Sequence, residues 1–125
     1  MNVKIDTKEK FTVITPPETC FAANMTGQLN DLLLSYMQKD IPHIILNMME
    51  VKAIDASQAV FLSEIQQQFY ENNCSFVICN LQEPVKKVLD KEELLDLMNT
   101  TPTESEAWDI VQMEEIEREL LNDNE

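Results

Sequence analysis

Residues 44–62 read IILNMMEVKAIDASQAVFL, and this stretch decides the fold. It opens on Ile44-Ile45-Leu46, a short continuous apolar run of the kind found in strands buried on both faces. After a loop, Asp55 and Gln58 stand three apart. At that spacing Asp55 can cap a helix by accepting from the Ser57 or Gln58 amide, while Gln58 reaches back as in a capping box. Phe61, Leu62, Ile65 and Phe69 then recur at helical spacing until Asn72-Asn73 breaks the pattern. The stretch is therefore a strand-to-helix junction.

The same alternation extends in both directions. Ser75 to Cys79 is a second strand of the buried type, and Phe11 to Ile14 is a β-branched strand that stops at Pro16-Pro17, with residues 3 to 6 placed to pair with it. Between them, Met25, Leu29, Leu32, Leu33, Tyr36 and Met37 predict a helix from about Asn24, as N-cap, to Lys39. Pro84 suits a first helical turn and is followed by Val85, Val88 and Leu89 through about Asp90. Leu94, Leu95 and Leu97 form an apolar cluster without a clear period. The last helix begins at the capping box Thr103-Glu104-Ser105-Glu106, after Pro102. Ala107, Ile110, Val111, Met113, Ile116 and Leu120 are expected to face one side, with Trp108 anchoring the helix to the sheet. The prediction is one α/β domain over residues 1–121, a mostly parallel or mixed sheet of four to five strands with about four helices packed on it. Residues 122–125 are expected to fray as a short acidic tail.

A chain of 125 residues can bury a core of its own without disulfides or metals. Cys20, Cys74 and Cys79 are an odd number at no metal-binding spacing, and with only His43 to help they read as small buried hydrophobes. The N-terminus lacks the apolar stretch of a secretory signal, so the expected location is cytoplasmic. From Asp90 onward 13 acidic residues face two basic ones, giving −11 of the total −14. A field of that sign repels phosphate backbones and anionic lipid, which argues against nucleic-acid and membrane-surface binding, and apolar runs such as Phe76 to Cys79 are far too short for membrane insertion. One glycine in the chain leaves no phosphate-cradling loop, and no cofactor is implied.

Candidate functional residues gather at the junction. Asp55 has a sufficient reason to be there, because a helix starting at Ala56 needs a cap. Ser57 then lies in the first turn, beside unpaired amides at the positive end of the helix dipole, where an added anion is tolerated. Met48 and Met49 lead into this loop, and flexible methionines suit adaptable surfaces. His43 has no serine or cysteine placed by spacing to use it as a base, and it reads as a core-edge histidine.

Over residues 11 to 121 the chain resembles the STAS domain of bacterial anti-sigma-factor antagonists. The resemblance is carried by Ile44-Ile45-Leu46-Asn47 and by Val51-Lys52-Ala53-Ile54-Asp55-Ala56-Ser57, which looks like the family's apolar-Asp-x-Ser signature. Ser75 to Leu81 and Glu83 to Asp90 resemble its second core strand and the short helix after it. The resemblance implies a non-enzymatic, phosphorylation-controlled switch. The serine matching Ser57 is phosphorylated by an ATP-dependent anti-sigma serine kinase, the unmodified form binds that kinase and frees the sigma factor, and a phosphatase resets it. It implies that Asp55, Ala56, Ser57, Gln58, Met48 and Met49 form the partner-binding edge. The family usually carries Gly after the serine, where this chain has Gln58. It also tends to carry Gly-x-Leu-Asp where this chain has Thr15-Pro16-Pro17-Glu18-Thr19-Cys20. Gln58 favours an alternative, a non-phosphorylated STAS-like subunit docking constitutively to a transporter or signalling complex. A hydrolase using Ser57 would need a base, an orienting group and an oxyanion hole that the sequence does not suggest.

Overall fold

Ile44–Asn47 is a strand at the centre of a five-stranded sheet, and the computed structural model describes the protein from residue 3 to residue 123. The strands are β1 (Lys4–Thr7), β2 (Thr12–Thr15), β3 (Ile44–Asn47), β4 (Phe76–Cys79) and β5 (Thr100–Thr101). Their spatial order equals their chain order. β1 pairs antiparallel with β2 and every other pair is parallel. The helices are α1 (Thr19–Ala22), α2 (Thr26–Ser35), α3 (Ala56–Glu71), α4 (Glu83–Lys91) and α5 (Glu104–Asp123), with 3₁₀ turns at Tyr36–Gln38 and Leu95–Leu97.

When parallel strands add one after another in the same direction and crossovers keep one hand, every crossover helix falls on one face. The core reflects this. Ile14, Ile44, Leu46, Phe76 and Ile78 meet Phe21, Leu29, Leu62, Ile65, Phe69, Val85 and Leu89 from α1 to α4 in one cluster. The alternate residues Val13, Ile45, Val77 and Cys79 point to the opposite face, where Phe11 joins them and α5 supplies Ala107 and Val111. Phe11 also packs against Trp108, with ring centroids 5.3 Å apart and the planes tilted by 56°, so this tryptophan does anchor α5.

Four expectations about the elements need correction. Asn24 does not cap the helix after it. It sits at φ 53°, a left-handed conformation that Asn tolerates, and closes α1, a four-residue helix that no periodicity announced. Met25 occupies the N-cap position of α2 without a side-chain bond, and the α-helix ends at Ser35 rather than Lys39. β5 is two residues long and carries no pattern to read. The apolar residues of α5 do not share a side. Ala107 and Val111 are buried, whereas Met113, Ile116 and Leu120 are exposed, because at 3.6 residues per turn they lie about half a turn away. α5 also continues to Asp123, past the expected end at residue 121. Asn124 and Glu125 of the expected tail lie outside the described residues.

Candidate functional site

The chain leaves β3 at Asn47 and turns over Met48, whose carbonyl accepts from the Val51 amide at 3.0 Å. Val51 and Ile54 are buried and hold the loop down, so that its polar residues are presented outward. The Lys52 amide donates to the Glu18 carboxylate, which ties this loop to the segment entering α1. On the other side, Asn47 Oδ1 accepts from the Met49 amide and from Asn80 Nδ2, and Gln82 Nε2 donates to the Met49 carbonyl. With its backbone fixed in this way, the Met49 side chain stands 54% exposed.

Asp55 is the N-cap of α3 with extended backbone, and the predicted capping box closes in both directions. Its Oδ1 accepts from the Gln58 amide at 2.8 Å, and Gln58 Oε1 accepts from the Asp55 amide at 2.9 Å. The Ser57 hydroxyl donates to the same Asp55 oxygen at 2.7 Å. The bond from the Gln58 amide, then that from the Ser57 hydroxyl, stabilise the carboxylate and hold Asp55 below its ordinary titration range. Asp55, Ala56 and Ser57 are all exposed.

Two residues expected on the partner edge are not there. Met48 is fully buried beneath the loop, and the Gln58 side chain is 6% exposed, its Nε2 donating to the Phe21 carbonyl at 2.7 Å. Neither offers a side chain to a partner. The residue that replaces the family's glycine therefore adds bulk inward, toward α1, and leaves the ground around Ser57 open. The structure adds Val60, 40% exposed and one turn along α3 from Ser57. Its signal in the sequence was an apolar residue lying off the Phe61, Leu62, Ile65, Phe69 stripe.

The arrangement presents a hydroxyl to solvent without a base behind it. His43 precedes β3 and so lies at the opposite edge of the sheet, where its Nδ1 accepts from the Ser75 amide at 3.0 Å and its Nε2 meets Glu115 at 2.8 Å. All three cysteines are buried and free. Burial pushes each thiol up, and Cys79, with the Glu104 carboxylate adding to the effect, reaches about 12. Among the described residues no three His, Cys, Asp or Glu side chains are grouped to hold a metal, and no helix is long and apolar enough to cross a membrane.

Comparison with solved structures returns the same fold. An anti-sigma-factor antagonist (STAS) domain protein from Planctomyces limnophilus superposes with a TM-score of 0.69 at 19% identity, over 84% of this chain and 93% of that one. The anti-sigma-factor antagonist SpoIIAA in its unphosphorylated form gives 0.68 at 18%, over 89% and 96%. A murine anion transporter of the Solute Carrier 26 family gives 0.70 at 13%, over 86% of this chain and 18% of the transporter. No curated protein sequence matches. At such identities the likeness is one of fold, but the STAS domain family model matches the sequence itself over residues 2–107, across β1 to the start of α5. The chain belongs to the STAS domain family.

Proposed function

We propose that the protein is an anti-sigma-factor antagonist working as a phosphorylation-controlled binding switch in the cytoplasm, with Ser57 the acceptor. The observation that carries this reading is the exposed Ser57 hydroxyl at the N-terminus of α3, bonded to Asp55 inside a closed capping box. In the unmodified state the edge formed by Met49, Asp55, Ala56, Ser57 and Val60 is small, partly apolar and carries one carboxylate. Phosphate on Ser57 adds about −1.5 to −2 charges and removes one of the two donors that Asp55 accepts from, leaving the Gln58 amide. The helix N-terminus tolerates the new anion while Asp55 is repelled by it, so the fold persists and the docking edge changes charge. The partners in this reading are an anti-sigma serine kinase, which binds the unmodified edge, and a phosphatase that restores it. The domain has no catalytic role of its own.

A second reading, constitutive docking of an unmodified STAS subunit to a transporter or signalling complex, is favoured by Gln58. Its two side-chain bonds fix the start of α3 with no phosphate required.

Recovery from native cells with bound partners, followed by intact-mass and phosphosite measurement, separates the two. A kinase partner with one phosphate on Ser57, and loss of that partner in Ser57→Asp but not Ser57→Ala, supports the switch. An unmodified Ser57, with Ser57→Asp leaving partner binding unchanged, sinks it in favour of constitutive docking.

A further inference from the structure

The second half of α5 carries an apolar stripe that the fold does not use. Met113, Ile116 and Leu120 are 58%, 55% and 58% exposed, whereas Leu121 is exposed on another side of the helix, in a hollow it lines with Tyr70 and Phe76. Met113, Ile116 and Leu120 are three of the ten large exposed apolar side chains among the described residues, gathered within eight positions on one side of one helix. The sheet-facing side of the same half is held by polar groups. Ser75 Oγ bonds Glu114 and Arg118 at 2.6 Å each, and Glu115 meets His43. The outward residues are therefore not a frayed core. A contiguous exposed apolar stripe of this kind marks a docking surface.

Charge identifies what fits it. α5 contains eight acidic residues and one basic one, and that one, Arg118, is turned inward to Ser75. The exposed acids Asp109, Glu117 and Glu119 border the stripe, and Lys10 shares one hollow with Ile116 and Glu119. A second copy would lay one such helix against another, with like charges along both margins. An anionic lipid surface is repelled in the same way.

We propose that the outward stripe of α5 docks an amphipathic helix of another protein, apolar along one face and flanked by Lys and Arg. From Met113 to Leu120 the stripe spans eight residues, about 10 Å of helix, which matches two turns of an occupant whose apolar anchors recur at i, i+3 or i+4 and i+7. α5 covers the back of the sheet, whereas Ser57 stands at the edge where the strands end, so this surface is separate from the proposed switch and independent of it.

The test uses the full chain and a labelled synthetic helix of roughly 18 residues, with leucines at those spacings and lysines beside them. A second peptide has glutamates in place of the lysines. In fluorescence anisotropy the lysine-flanked peptide is expected to bind, more weakly as salt rises, and the glutamate-flanked one is not. Ile116→Ser with Leu120→Ser should weaken binding about tenfold or more, the loss of two anchors in a small interface. Glu117→Lys with Glu119→Lys should also weaken it, with circular dichroism showing α5 intact in both variants. Three outcomes overturn the proposal. They are no binding of the lysine-flanked peptide, equal binding by the serine variant, or a dimer in sedimentation that the serine variant abolishes, which would make the occupant a second copy.

Discussion

Gln58 accepts from the Asp55 amide with one end of its side-chain amide and donates to the Phe21 carbonyl with the other. It thereby fastens the start of α3 to α1, 37 positions earlier. Gln58→Ala leaves the Asp55 amide to find a new partner and the Phe21 carbonyl with the Asn24 amide alone, a loss of about 1–3 kcal/mol in urea unfolding. A change within error would mean that water replaces both bonds freely. Asp55 gives a second residue-level expectation. Its carboxyl should titrate below 3.8 by NMR, and Ser57→Ala should move it back up, since the hydroxyl is one of the groups holding it down. Because the folded value is depressed, the cap's contribution is present above the ordinary carboxylate range and disappears as pH falls through the folded value. An Asp55 titration indifferent to Ser57→Ala would rule out the hydroxyl as a cause. The reciprocal Asp55–Gln58 box was legible because it is local, three residues apart. The Phe21 bond was not, because no sequence pattern reports what a buried amide meets across the fold.

Elements were legible in proportion to their periodicity. α3 and α4, with their caps and breakers, and the buried runs of β3 and β4 stand where hydrophobic spacing puts them. α1 and β5 were missed because four and two residues are too short to show a period. For α5 the composition was read without its phase, and the step from Val111 to Met113 crosses from the sheet side toward the solvent side. Its C-terminal half rests on His43, Ser75, Glu114, Glu115 and Arg118 instead of on apolar contacts. Burial lowers His43 from its ordinary 6.5, with the Glu115 carboxylate opposing and the Arg118 guanidinium adding to the shift. The unfolded chain therefore binds the proton more readily. Stability present above 6.5 is lost as pH falls from there toward the folded value. Urea midpoints taken between about pH 7 and pH 5 should decline in the wild type and flatten in His43→Asn, which keeps an acceptor near Nδ1. Parallel declines in the two proteins would place the pH dependence elsewhere.

At the scale of the molecule, two cores share one sheet. Ile45, fully buried, belongs to the smaller one, beneath α5. Ile45→Ala is expected to cost about 2–5 kcal/mol and to lower the whole unfolding transition, because the same strand carries Ile44 and Leu46 of the larger core. A separate early transition for α5, with the rest unchanged, would show that the two layers unfold independently.

The strand order has a consequence for the chain as it is synthesised. Each parallel strand joins the sheet beside the one made just before it, so the growing edge can accept one unit at a time as the polypeptide emerges from the ribosome. The helices of the front face arrive with their strands, but the back face waits for the final helix. Until residues 104–123 are released, Val13, Ile45, Val77 and Phe11 have no cover. A nascent chain stalled before Glu104 should accordingly bind an apolar dye such as ANS and recruit chaperones, and completion of α5 should end both. If stalled and released chains bind the dye equally, the back face is already shielded by other means.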